Sequence, residues 1–133
     1  EFRRVLFRSM EILPTGEKIV YSYDRSGNIT HKVKIKNETI EESINYQYDI
    51  SNRLIKEECY NGSTLKYNYE YKYNSLGDIL EKIEYNISDE IISKEIYNYS
   101  TTNSSQLLSI NKVNTNNEII LIIFLFCFIS LFH

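Results

Sequence analysis

Proline is nearly missing from this chain, which has one, Pro14. From Thr15 onward every residue keeps its backbone N–H, so paired strands can run without interruption. Cysteine is almost as scarce. Cys59 and Cys127 lie in different parts of the chain and make neither a disulfide framework nor a metal motif. Cys59 stands beside Tyr60 in a strand-like stretch and reads as a small packed side chain. The body holds a single histidine, His31, on the more apolar side of an alternating stretch, where a structural role is expected. Catalysis needs a nucleophile, a base and an orienting group that converge. These residues supply no such set, and no catalytic, cofactor-binding or metal-binding residue is expected. Positive charge is short as well: 15 Lys and Arg stand against 18 Asp and Glu, a net charge of −3. Without a basic field, nucleic acid is excluded as a partner.

No apolar run reaches the roughly 18–20 residues that cross a bilayer as a helix. The longest, Ile119–Phe132, is broken only by Ser130. Three readings stay open for it: a truncated or tail-anchoring membrane helix, a frameshifted AT-rich reading frame, or a buried strand pair of a larger protein. A basic flank to orient a membrane helix is lacking, since Lys112 is the nearest cation.

Aromatics divide the chain. All 12 Tyr fall between Tyr21 and Tyr99, and all 6 Phe fall outside that span. Three segments follow: residues 1–9, 10–115 and 116–133. The first, Glu-Phe-Arg-Arg-Val-Leu-Phe-Arg-Ser, back-translates to something that resembles the end of a DNA-sequencing adapter. It is therefore expected to be foreign to the protein and is set aside from fold reasoning.

The body repeats itself. Tyr21-Ser-Tyr-Asp-Arg-Ser-Gly-Asn-Ile29 returns as Tyr46-Gln-Tyr-Asp-Ile-Ser-Asn-Arg-Leu54 and as Tyr71-Lys-Tyr-Asn-Ser-Leu-Gly-Asp-Ile79. A worn fourth copy starts at Tyr97-Asn-Tyr-Ser-Thr-Thr-Asn103. A period of about 25 residues is the mark of a repeat array. Each copy opens on alternation of period two, as in Ile19, Tyr21 and Tyr23, which predicts a half-buried strand. The strongest case sets Tyr67, Tyr69, Tyr71 and Tyr73 on one face. Each strand then meets a turn with Asp, Asn or Ser first and Gly or Asn fourth. The first side chain can close the turn on backbone N–H groups, and the fourth residue suits a positive φ. Asp24, Gly27, Asp49, Asn52, Asn74 and Gly77 are thus structural turn residues. Asp24 and Asp49 recur one hairpin apart, which argues turn closure rather than a glycosidase carboxylate pair about 5 Å apart. A second alternating strand follows each turn, and polar turns at Asn37-Glu38, Asn61-Gly62 and Ser88-Asp89 bring the chain back. Pro14-Thr15-Gly16 reads as a type I turn.

The fold expected is all-β: tandem antiparallel hairpins in a meander, one hairpin per repeat, with a helical C-terminal apolar segment as an option. Residues 101–117 decay into Ser, Asn and Thr and read as a linker or fraying edge, with one last strand around Leu107, Leu108 and Ile110. The tyrosine stripe is first a set of cross-strand pairs. Tyr67, Tyr69, Tyr71 and Tyr73 could also stack sugars if their rings stand exposed. Glu70 and the net negative charge oppose stacking of nucleic-acid bases. Asn-x-Ser/Thr triplets such as Asn28-Ile-Thr30 and Asn61-Gly-Ser63 follow from an Asn-rich composition.

The unit Tyr-x-Tyr-Asp-x-x-Gly-Asn/Arg-Ile/Leu resembles the YD repeat of the Rhs family, which includes polymorphic toxins, wall-associated proteins and the teneurins. The resemblance covers about residues 14–110. It implies a long β-sheet wound into a hollow shell, belonging to a secreted or surface-exposed protein. It also implies partners: neighbouring repeats of a longer parent chain, and an enclosed toxin domain or a surface glycan. A membrane partner enters only if the run 119–132 is genuine. Asn74 and Ser100 stand where the family has Asp, and no core-associated region with its plug and self-cleaving site follows. Any toxin function therefore belongs to the parent.

Overall fold

The computed structural model describes residues 7–101 and 106–124. Ten strands follow one another: β1 (Phe7–Ile12), β2 (Lys18–Tyr23), β3 (Ile29–Lys36), β4 (Thr39–Tyr48), β5 (Leu54–Asn61), β6 (Thr64–Tyr73), β7 (Ile79–Tyr85), β8 (Ile91–Tyr99), β9 (Leu107–Asn114) and β10 (Ile119–Phe124). They form one antiparallel sheet in chain order, from β1 at one edge to β10 at the other. The described residues contain no helix. Each sequence unit is one hairpin: β2–β3, β4–β5, β6–β7 and β8–β9.

Alternation sorts the side chains onto two faces. Register pairs share a face, so Tyr46, Glu57, Tyr69, Glu84 and Ser93 form one cross-strand row. That face holds every tyrosine except Tyr60 and Tyr85. The reverse face carries Val33, Ile83, Ile96 and Val113 among Lys, Glu and Asn. A register shift falls at the same place in all four units, just before the second tyrosine: Ser22/Tyr23, Gln47/Tyr48, Lys72/Tyr73 and Asn98/Tyr99. Each shift leaves one residue of the following strand unpaired, a bulge that bends the strand and adds twist. The bulge recurs with the repeat, and the two tyrosines of every unit stay on one face.

Among the described residues each strand packs only against its neighbours in sequence, and no second layer covers either face. The buried apolar side chains are correspondingly few: Ile44, Cys59, Ile83 and Val113. The chain exposes 9994 Å², against roughly 7,300 Å² for a compact monomer of its mass.

Three features add to the sequence reading. The last strand expected around Leu107, Leu108 and Ile110 is β9, which runs on to Asn114 and pairs with β8 and again with β10. The apolar run is a strand, not a helix, over Ile119–Phe124, and its remainder lies outside the described residues. No described helix is long and apolar enough to cross a membrane. Phe7, Arg8 and Ser9 of the segment set aside belong to β1, opposite Tyr23, Ser22 and Tyr21.

Candidate functional site

The repeat turns are built alike. Asp24 N–H donates to Asn28 O (2.9 Å) and Gly27 N–H to Asp24 O (3.3 Å). Asp49 with Arg53 and Asn52, and Asn74 with Asp78 and Gly77, repeat both bonds. The fourth residue is left-handed each time: φ is 89° at Gly27, 60° at Asn52 and 94° at Gly77. The first side chain then satisfies the loop's own N–H groups. Asp24 Oδ1 accepts from Ser26 and Asn28 (2.9 Å each), Asp49 Oδ1 from Ser51 and Arg53 (2.8 and 2.9 Å), and Asn74 Oδ1 from Leu76 and Asp78 (2.9 Å each). These bonds favour the ionised acid. The Asn28 amide holds the Asp24 carboxyl below its ordinary range, and the Arg53 backbone and guanidinium do the same for Asp49.

The remaining atom of the first side chain selects the fifth residue. Asp24 Oδ2 accepts from Asn28 Nδ2 (3.0 Å), and Asp49 Oδ2 from Arg53 Nε (2.7 Å). Where the first residue is Asn the direction reverses: Asn74 Nδ2 donates to Asp78 Oδ2 (3.0 Å). Asn74, standing where the first two units have Asp, is thus matched by an acceptor at Asp78. Two further turns follow the same rule, one around the Ser88-Asp89 turn already expected and one after β9. Asn86 Nδ2 donates to Glu90 Oε2 (2.9 Å) and Asn114 Nδ2 to Glu118 Oε2 (2.7 Å), with φ of 60° at Asp89 and Asn117. The signal for this closure is present in the sequence: Asn first, Asp or Asn fourth, Glu fifth. The fourth repeat turn is longer, closing from Ser100 N–H to Gln106 O (2.9 Å), and Asn103 lies outside the described residues.

Neighbouring units are clasped by the second tyrosine. Tyr48 O–H donates to Ile29 O (2.9 Å), Tyr73 O–H to Leu54 O (2.6 Å) and Tyr99 O–H to Ile79 O (2.8 Å). In each case the acceptor is the first residue of the strand that follows the preceding unit's turn. In the first unit Tyr23 shares a hydrogen bond with Ser9 Oγ instead (2.8 Å). The turns also touch along the rim, with Asn28 Nδ2 on Asn52 Oδ1 (2.9 Å) and Arg53 Nη1 on Asn74 O (3.3 Å). Arg53 lies 4.8 Å from the Tyr73 ring centre, a cation–π contact that joins the clasp to the turn.

The tyrosine face centres on Glu57. Its carboxylate accepts from Tyr67 (2.8 Å) and Tyr71 (3.3 Å). Tyr67 stacks on Tyr69 at 4.7 Å, and Lys82 lies 3.9 Å from the Tyr69 ring centre. Tyr73 is committed to its clasp. All four rings are half-buried. Burial raises the phenols of Tyr67 and Tyr71, and pushes those of Tyr46 and Tyr97 up to about 12. The hollow beside Tyr69, lined by Lys82, Glu84, Ser93, Glu95 and Lys112, holds about 30 Å³. That is room for a water molecule or two, not for a sugar ring.

His31 and Cys59, the histidine and cysteine among the described residues, lie on opposite faces of the sheet. His31 Nδ1 shares a hydrogen bond with Asn45, and Cys59 is fully buried, its thiol raised by desolvation. Among the described residues no three His, Cys, Asp or Glu side chains come together as a metal cluster. The arrangement is chemically a set of closures: carboxylates and amides on backbone N–H groups, and phenols on carbonyls. No protein-family model matches this chain, and no curated protein matches it.

Proposed function

We propose that the chain is a non-catalytic structural module, a strip of YD-type repeats that forms part of the wall of a β-shell in a larger secreted or surface protein of the Rhs type. The observation that carries this reading is the clasp of Tyr48, Tyr73 and Tyr99 onto the preceding units. Its repetition, together with the repeated turn and bulge, serves propagation: every unit offers its successor the same carbonyl, register and rim. Keeping one joint across units while the intervening residues vary is what a wall needs and what a reaction centre does not. Repeat units of this kind are stabilised mainly by their nearest neighbours. The parent's further repeats are the first partners, and an enclosed toxin domain is the second.

The source DNA on both sides of this reading frame tests the proposal directly. Further Tyr-x-Tyr-Asp units in phase on either side are expected; their absence from both sides sinks it. A glycan-binding adhesion module is the competing reading, favoured by half-exposed rings at Tyr67, Tyr69 and Tyr71 around the Glu57 carboxylate. Binding on a glycan array that Tyr71→Ala abolishes, with the circular dichroism spectrum unchanged, would put adhesion ahead of the shell. A small membrane-anchored protein with a β exterior is the third reading, and it depends on the run 119–132.

A further inference from the structure

Asn61-Gly62 is the one Asn-Gly pair in the sequence. It lies where β5 turns into β6, the connection from the second repeat unit to the third. Gly62 opens the two-residue loop with a φ of 59°, the place where a type II′ hairpin takes glycine. A Cβ there would meet nothing within 4 Å, so the main chain is uncrowded. Asn61 is exposed, and its side-chain amide bonds to no described residue. It borders an open hollow of about 300 Å³ shared with Lys34, Glu41, Glu42 and Lys66, with room for about ten water molecules. Other asparagines lack part of this setting. Asn74, Asn86 and Asn114 commit their amides to turn closure. Asn37 is exposed on the preceding return turn, but Glu38 follows it and puts a side chain beside the next nitrogen.

We propose that Asn61 is a site of self-modification, deamidated by the Gly62 main chain with water as the co-reactant. The Gly62 nitrogen gives its proton to solvent base and attacks Asn61 Cγ. A Cγ–N bond forms, the Cγ–Nδ2 bond breaks, and ammonia leaves after taking a proton from water. The five-membered imide then adds water. Opening at Cγ leaves an ordinary aspartate. Opening at the main-chain carbonyl carbon of residue 61 leaves isoaspartate, with one extra methylene in the backbone. Neither step exchanges electrons with an outside reagent. In the folded chain Gly62 N–H donates to Glu41 O (3.1 Å), so ring closure waits for this corner of the β4–β5 joint to open. The two products differ in consequence. Asn61 is paired with Glu42 on one side and Thr64 on the other. Aspartate keeps both pairings and adds one negative charge to the hollow. Isoaspartate displaces the chain beyond it by a methylene, which disturbs the register of β6 on β5 at the seam between two units. The second and third units are thus joined at a bond that changes with age, whatever the repeats enclose.

The test is incubation of the full chain in heavy-oxygen water at mildly alkaline pH, followed by peptide mass mapping. Residue 61 should lose ammonia and take up one heavy oxygen ahead of every other asparagine. Both products should be found there, the isoaspartyl form accepting a methyl group from an isoaspartyl methyltransferase. Asn61→Ser leaves the glycine and the loop in place; it should abolish the label at this turn with an unchanged circular dichroism spectrum. Guanidinium chloride frees Gly62 N–H and should speed labelling at Asn61 about tenfold or more. It should also release Asn74 from its turn and bring on labelling there. Amide exchange near the β5–β6 turn should be faster in the isoaspartyl form than in Asn61→Asp. An unlabelled residue 61, or a label that appears first at Asn37 or Asn74 in the folded chain, overturns the proposal. A rate at Asn61 that denaturant leaves unchanged overturns the gate at Glu41.

Discussion

Replacing Asn74 by Asp restores the repeat's consensus letter and should nonetheless destabilise the protein. The introduced carboxylate would keep both main-chain acceptor roles of Asn74 Oδ1, toward Leu76 and Asp78. What changes is the bond from Asn74 Nδ2 to Asp78 Oδ2, now 3.0 Å. A net hydrogen bond of about 1 kcal/mol is lost, and two carboxylates are brought to hydrogen-bond distance on a part-solvated rim, where repulsion adds about 1 kcal/mol. The expected loss is about 1–2 kcal/mol, or about 3–6 °C in midpoint for a chain of this size. Asp78→Asn alone leaves Nδ2 an amide acceptor and should be close to neutral. The double variant Asn74→Asp/Asp78→Asn rebuilds the Asp24–Asn28 pair of the first unit and should return to the original midpoint. Urea unfolding of the four proteins closes a double-mutant cycle with a coupling of about 1–2 kcal/mol. The penalty should shrink in high salt. It should vanish below the carboxylate range, where the introduced acid is protonated and can itself donate to Asp78. A single Asn74→Asp variant as stable as the parent, or a double variant no better than the single, would refute the first-to-fifth rule.

Three further outcomes follow from the same geometry. Gly27→Val and Gly77→Val should each cost about 1–2 kcal/mol in urea unfolding, through backbone strain alone, because a Cβ at either site meets nothing within 4 Å; Gly77→Asn should cost only a few tenths, as Asn52 already holds this conformation. Tyr48→Phe, Tyr73→Phe and Tyr99→Phe should each lose about 1 kcal/mol by leaving a carbonyl without its phenol, with faster amide exchange at the affected joint; equal exchange at all joints would argue against a clasp. Raising the pH should unfold the protein cooperatively. Burial raises the folded-state pKa of Tyr46 and Tyr97 above the ordinary 10 to about 12, so their contribution is complete below pH 10 and is lost between there and about 12. Phenolate absorbance should rise together with loss of the circular dichroism signal, and phenols ionising fully before any unfolding would contradict the burial.

How much of this was legible depends on whether the signal is local. Strand alternation is local, and Tyr67-Asn-Tyr-Glu-Tyr-Lys-Tyr73 announces its face without help. Asx-type turn closure is local too, yet at Asn86 and Asn114 it lacks the tyrosine pair that marks the repeat turns, and it was missed there. β9 was legible only at its start, around Leu107, Leu108 and Ile110, because Leu-Leu-Ser-Ile-Asn-Lys-Val-Asn has little alternation of its own; pairing on both sides carries the strand on to Asn114. The clasps were invisible in principle. Tyr73 and Leu54 meet only because a bulge before the tyrosine and a return turn of fixed length place them together, and a register is not written at any one residue.

The partition of aromatics, at first only a clue to segment boundaries, now has a physical cause. A sheet without a second layer leaves both faces partly wet, so its large side chains need an apolar body and a polar tip. Tyrosine supplies both. Tyr67 and Tyr69 stack through their rings while Tyr67 reaches Glu57 with its hydroxyl, and Tyr48, Tyr73 and Tyr99 cover the sheet while binding a neighbour's carbonyl. Phenylalanine in those places would keep the area and lose the joint. With only Ile44, Cys59, Ile83 and Val113 as buried apolar side chains among the described residues, hydrophobic burial cannot carry the specificity of the array. The polar contacts that recur with each unit do so instead. Two strands past the last tyrosine, Tyr99, β10 carries side chains without polar tips, and Leu121, Ile122 and Ile123 leave apolar surface exposed there.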